Sequence, residues 1–138
     1  MPKRNAVIYP LRLCSLNEFI SAANRSRYQA NAIKRRCTEA CDIYTTIASK
    51  HGVAFVWPCT LRFTWVVANR RRDPDNIAYA KKFILDGMQA SGFLPNDSLK
   101  YITGFRDVFI VAKREEERVI VEMDEEAEER DGTGFKTE

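Results

Sequence analysis

No apolar run in this 138-residue chain approaches the ~20 residues that span a bilayer. Met1-Pro2-Lys3-Arg4 is not followed by the apolar core of a signal peptide, so a cytoplasmic location is expected. Histidine is nearly missing. The lone His51 stands beside Gly52 at an expected helix end, which makes it a C-terminal turn residue and disfavours a histidine-based hydrolase. Cys14, Cys37, Cys41 and Cys59 contain no Cys-x-x-Cys pair, and Cys37 and Cys41 fall at i, i+4 on an apolar stripe. Buried free thiols are therefore expected in preference to a structural zinc site. Internal repeats are also missing, as is any obvious linker before Asp124.

What is present is a soluble globular composition, 45% hydrophobic and 30% charged, and a length suited to one domain with a single core. The net charge of +3 conceals an uneven distribution. Residues 124–138 hold seven acids and two bases, whereas residues 1–123 hold 20 bases and 12 acids. The basic body favours a polyanionic partner, with nucleic acid the leading candidate. The expected organisation is a domain over 1–123 and a disordered acidic tail over 124–138 that could compete with DNA for the basic face.

Ala6 to Tyr9 is β-compatible and limited by Pro10. Ser15-Leu16-Asn17-Glu18 has the capping-box pattern and predicts a short helix through about Ala23; Ser26 is placed to cap a longer one, about Arg27 to Lys50. In that helix Ala30, Ile33, Cys37, Ala40, Cys41, Tyr44, Ile47 and Ala48 form a stripe at i, i+3, i+4, i+7 spacing. Lys34, Arg35 and Arg36 lie mostly off it, as a solvated face or as phosphate contacts. After Gly52 the period changes to two, with Leu61, Phe63, Trp65 and Val67 alternating against Arg62, Thr64, Val66 and Ala68. A helix is predicted from Asn76 to about Ser91, ended by Gly92, and strands over Tyr101 to Phe105, Val108 to Ala112 and Arg118 to Met123. The fold class predicted is α/β, a small mixed sheet of about four strands carrying two principal helices.

The stretch richest in chemistry is Arg70-Arg71-Arg72-Asp73-Pro74-Asp75-Asn76. In an extended backbone Asp73 and Asp75, at i and i+2, project to one side and could share a hard divalent cation, and Pro74 biases the residue before it toward extended structure. The same residues also suit a plain helix start, with Asp73 as N-cap, Pro74 at the first position and Asp75 on the helix dipole. Lys82 lies nearly two turns beyond Asp75 and could reach an attacked phosphate, or simply pair with Asp86 at i, i+4.

Arg71-Arg72-Asp73-Pro74-Asp75-Asn76, Lys81-Lys82-Phe83-Ile84-Leu85-Asp86-Gly87-Met88 and Gly92-Phe93-Leu94-Pro95-Asn96-Asp97-Ser98 together resemble the signature of the RusA family of Holliday-junction resolvases, which are crossover junction endodeoxyribonucleases. The variant is similar to those of phages and prophages of Gram-positive bacteria, and Ser15-Leu16-Asn17-Glu18 resembles its N-terminal region. The resemblance implies a RusA-like domain in a bacterial or phage-infected cell. It implies a homodimer that uses Mg²⁺, with Mn²⁺ as an alternative, to resolve four-way DNA by paired symmetric nicks in recombination and repair. Asp73, Asp75 and Asp97 match the family's essential carboxylates and metal ligands. Lys82 matches its functional lysine, with Lys81 as the alternative. Asn96 stands where many members have a second acid. Arg70, Arg71, Arg72, Arg25, Arg27 and Lys81 are the candidate DNA contacts. Whether one ion or two would be held is open.

One geometric difficulty accompanies the assignment. A helix of ~16 residues is ~24 Å long, and a six-residue loop reaches back ~20 Å at most, so Asp97 starts from the far end of the helix that Asp75 begins. Either the loop folds back or a second subunit supplies Asp97. The rival expectations are a basic DNA-binding or assembly protein without catalysis, and a nuclease for other branched DNA.

Overall fold

A computed structural model of the chain describes residues 4–125. The central strand is β2 (Cys59–Val67), whose Leu61, Phe63, Trp65 and Val67 are all buried, as their period-2 spacing predicts. Around it the sheet runs β1 (Ala6–Tyr9), β4 (Arg118–Met123), β2, β3 (Ile102–Val111). β4 is antiparallel to both β1 and β2, whereas β2 and β3 are parallel. This is a mixed α/β domain with a four-stranded sheet.

A parallel pair cannot be joined by a tight turn and needs a crossover. Here α3 (Pro74–Ala78) and α4 (Lys81–Ala90) supply it. They share a layer with α1 (Leu16–Arg25) and α2 (Arg27–Lys50), over the sheet face that carries Leu61, Phe63 and Trp65. Both early helices start on the expected caps. The Ser15 hydroxyl accepts from Glu18 N–H at 3.3 Å while the Glu18 carboxylate accepts from Ser15 N–H at 2.8 Å, and Ser26 accepts from Gln29 N–H at 3.0 Å. α2 ends at His51, whose ring nitrogen Nδ1 lies 2.8 Å from the Ile47 carbonyl oxygen, and Gly52 follows at φ +94°. No helix among the described residues is long and apolar enough to cross a membrane.

Three differences from the expected elements have physical causes. The helix predicted from Asn76 to Ser91 is two helices: at Tyr79 and Ala80 the bonds tighten to i→i+3, with Ala80 N–H on the Ile77 carbonyl at 3.3 Å and Lys82 N–H on the Tyr79 carbonyl at 3.2 Å. The strands predicted over Tyr101 to Phe105 and Val108 to Ala112 are one strand, β3. Arg106 and Asp107 look like a polar break, yet each finds a partner on a neighbouring element: Asp107 accepts from the Trp65 indole N–H and Lys81, both at 2.9 Å, and Arg106 lies 3.4 Å from Asp124. Finally, Asp124, where the acidic tail is expected to begin, is 2% exposed, and its N–H donates to the Thr60 carbonyl at 2.8 Å. Its carboxylate answers Arg106 and Arg62, so the folded unit extends through it. Residues 126–138, the remainder of that expected tail, lie outside the described residues.

The four cysteines are free thiols, and burial pushes Cys41 up to about 12 and Cys14 up to about 11. Both raised values favour the protonated form in the fold. The Cys41 contribution is therefore complete below about pH 8.5 and is lost as pH rises toward its folded value. Chemical denaturation between pH 8 and 11 should show wild-type stability declining relative to that of Cys41→Ala, and parallel pH profiles would remove the assignment.

Among the described glycines the closest approach is at Gly87, where a Cβ would lie 2.5 Å from Cys41 Cβ and 2.8 Å from the Asp42 nitrogen. Because the obstacle includes α2 backbone, relief requires the helices to separate. Gly87→Ala should destabilise the fold by about 1–3 kcal/mol, measured by urea unfolding with the wild type as reference.

Candidate nucleic-acid and metal site

The acidic pair sits where β2 hands the chain to α3. Ala112 N–H donates to the Val67 carbonyl at 2.9 Å and Ala68 N–H to the Glu117 carboxylate at 3.0 Å, which fixes the end of β2. Asn69 then folds the arginine run: its side-chain oxygen accepts from Arg71 N–H at 2.8 Å. This is an Asx turn, the local bond that short amide side chains favour. Arg70 and Arg71 are left exposed, whereas Arg72 is half-buried. Desolvation lowers the Arg72 guanidinium below its ordinary value, nearby Arg12 adds to this, and Glu117 and Glu18 act in the opposite direction.

Asp73 occupies the N-cap position of α3 with an extended backbone, φ −77° and ψ 133°, as Pro74 requires. Its main-chain carbonyl accepts from Asn76 and Ile77, both at 3.1 Å. Its carboxylate makes no capping hydrogen bond. The simple helix-start reading therefore holds for the backbone and not for the side chain. Asp75 follows in the first turn, and both carboxylates are exposed. Both are hard oxygen donors of the kind Mg²⁺ takes, but the extended backbone expected across the pair holds at Asp73 alone, since Pro74 already starts the helix that contains Asp75.

Asn76 has a different task. Its side-chain oxygen accepts from Asn17 N–H at 2.8 Å, tying the start of α1 to the start of α3. Two of the segments that carry the family resemblance, 15–18 and 71–76, thus meet through one hydrogen bond. The docking also brings Arg12 to the site, exposed and 3.5 Å from Glu18, a cation that pattern reading passed over because it belongs to no run or helix face. Arg25 and Arg27 lie at the α1–α2 corner, with Arg25 about 12 Å along α1 from Asn17. Arg25 is engaged with Gln29 at 2.6 Å and Ser21 at 3.2 Å, and Arg27 is exposed.

The two lysines divide. Lys81, expected on DNA, is turned onto the sheet: its ammonium lies 2.9 Å from Asp107 and 4.3 Å from the centre of the Phe105 ring. Lys82 is half-exposed and 3.7 Å from Asp86, the ordinary helical pair. The shared face expected for Lys82 and Asp75 presupposes one continuous helix. The tightened turn at Tyr79–Ala80 changes the angular phase between them, because 3₁₀ geometry turns ~120° per residue against ~100° for α.

Asp97 lies at the other end of the crossover. Leu94 is fully buried, its N–H bonded to the Met88 carbonyl at 3.1 Å, and Phe93 packs edge-on against Phe55 at 5.0 Å and Trp57 at 6.2 Å. Beyond Asp97, Tyr101 accepts from Cys59 N–H at 3.0 Å at the start of β2. Asp97 is therefore anchored where β2 begins, and Asp73 and Asp75 where it ends. Asn96 uses its side-chain oxygen to accept from Ser98 N–H at 2.8 Å. Among the described residues no group of three or more histidines, cysteines, aspartates or glutamates is gathered so that it could hold a metal. Asp73 and Asp75 are neighbours; Asp97 does not join them within one chain.

No family model and no curated protein sequence matches the chain.

If the Asp73 carboxylate is free, as its geometry indicates, Asp73→Ala should change stability by less than about 0.5 kcal/mol. A working N-cap would cost about 1 kcal/mol. Asn76→Ala should cost about 1 kcal/mol through the lost tie to α1. Thermal unfolding of both variants checks the pair, and a costly Asp73→Ala would return that residue to a capping role.

Proposed function

We propose that this chain is a divalent-metal-dependent endonuclease that acts on four-way DNA junctions as a homodimer, by paired symmetric nicks. The observation that carries the reading is the Asp73 carboxylate. It stands at a helix start without capping it, two residues before Asp75 and two after the exposed Arg71. An exposed carboxylate that caps no helix and makes no ion pair among the described residues, set close to exposed arginines, fits the chemistry of phosphodiester hydrolysis. The resemblance to the RusA resolvases supports the same reading.

Asp73 and Asp75 would hold the ion, and bound there it would neutralise charge on the attacked phosphate and activate a water. Arg70 and Arg71 grip neighbouring phosphates, and Arg12 and Arg27 extend the cationic track away from the acids. Such contacts position the backbone without reading sequence, so binding falls as salt rises. Asp97 completes the ligand set from the second subunit, because the crossover carries it away from its own Asp73 and Asp75. Lys82 is the lysine nearest this task, since Lys81 is occupied by Asp107.

A second reading has its own support. Among the described residues no three carboxylates are gathered in one chain, as expected of a basic DNA-binding protein without catalysis. Purified protein incubated with labelled four-way, flap and linear duplex DNA, in Mg²⁺ or EDTA, separates the readings. The proposal expects symmetric nicks in the four-way substrate with Mg²⁺ alone. Binding without cleavage would leave the non-catalytic reading, and preference for flaps would change the substrate. Asp73→Asn and Asp97→Asn should each abolish cleavage, and mixing the two chains should restore one working site per dimer. No recovery in the mixture would exclude a shared site.

A further inference from the structure

β3 is an edge strand, paired only with β2 among the described residues. Its outer row of backbone N–H and C=O groups therefore offers a template for another strand, and natural edges are usually shortened, charged or closed with proline against that hazard. The opposite edge follows the rule: β1 has four residues and is followed by Pro10. β3 does not. It has ten residues and no proline, and its two charged residues are turned to partners inside the chain, Arg106 to Asp124 at 3.4 Å and Asp107 to Lys81 at 2.9 Å. Besides Thr103 and Asp107, what it exposes is apolar: Phe105 at 47%, Phe109 at 37%, Ile110 at 46% and Val111 at 45%.

The pattern is complementary to itself. Phe105, Asp107 and Phe109 share one face of the strand, with the phenylalanines two residues to either side of the aspartate. A two-fold axis through Asp107 therefore sets Phe105 of one copy directly against Phe109 of the other, twice. The like carboxylates that meet at the axis are each countered by Lys81 and the Trp65 indole N–H, both at 2.9 Å.

We propose that β3 pairs antiparallel with β3 of a second copy of this chain, about a two-fold axis at Asp107, so that one sheet runs through both copies. A consequence that rests on the nuclease reading follows from strand direction. β2 and β3 run parallel, so an antiparallel β3 pair lays the Asp97 end of one copy alongside the Asp73 and Asp75 end of the other, at both ends of the interface. The edge that is sticky is also the edge that would complete the carboxylate set.

Sedimentation equilibrium of the full-length protein should give a dimer. Phe105→Lys with Phe109→Lys should weaken it by about tenfold or more, while the circular dichroism spectrum is retained and the exposed control Tyr28→Lys leaves the dimer intact. In a second measurement, Asp107→Cys should form a disulfide-linked dimer on mild oxidation and Thr103→Cys should not, because only a residue on the axis meets its own copy. A monomeric wild type, a dimer indifferent to the double substitution, or equal crosslinking at both positions would overturn the interface. A β3 dimer that cleaves no DNA leaves the interface standing and defeats the nuclease reading; junction cleavage by a chain that stays monomeric does the reverse.

Discussion

The parallel pairing of β2 with β3 is the constraint on which the rest of the molecule depends. It obliges the chain to leave β2 at one end of the sheet, cross over the helix-bearing face through α3 and α4, and re-enter at the other end. Every residue that the resemblance assigns to catalysis lies on this crossover or its two loops. The same constraint that forms the core under α4 therefore separates Asp97 from Asp73 and Asp75. Helix packing reinforces it, since Gly87 lets α4 lie against the backbone of α2 at Cys41 and Asp42 and leaves the crossover little freedom to shorten.

The charges of the basic body are sorted by the fold into structural and free groups. Arg62 and Arg106 lie beside Asp124, and Arg62 and Arg4 pair with Glu122 at 2.8 Å and 2.7 Å. Burial by itself would raise the Glu122 carboxyl, but its bonds to those two arginines outweigh burial and hold it below its ordinary value. Lys81 neutralises Asp107, and Arg72 is partly desolvated among Arg12, Glu18 and Glu117. Net charge thus overstates the cationic surface. Of the proposed phosphate contacts, Arg70, Arg71 and Arg27 are exposed, as is Arg12, which lies 3.5 Å from Glu18.

A single physical economy links the proposed edge to the proposed site. A chain this small has one core and little surface for a deep cleft, so a pocket built from both ends of the sheet requires a partner. Two-fold pairing along β3 would supply that partner, cover Phe105 and Phe109, and produce two equivalent sites, the number that paired nicks on a four-way substrate call for.

Much of the fold was legible in the sequence because it rests on local chemistry. Ser15 and Glu18, Ser26, the alternation from Leu61 to Val67, and Gly52 and Gly92 with φ of +94° and +84° each act within a few residues, and all appear where the pattern places them. The arginine run, the extended Asp73 and the helix begun at Pro74 were equally readable. Two of the three differences fell where a distant partner overrides the local signal: Arg106 and Asp107 continue a strand because Asp124, Lys81 and Trp65 receive them, and Asp124 is buried against the sheet beside Arg62 and Arg106. The sequence by itself determined the helix caps, the alternation of β2 and the chemical character of Asp73, Asp75 and Asp97, since these follow from propensity, capping and side-chain type. Only the tertiary structure decided that the Asp73 carboxylate stays uncapped, that Lys81 belongs to the sheet, and that Asp97 sits across the domain from its companions, because each depends on strand order and direction, which no local spacing encodes.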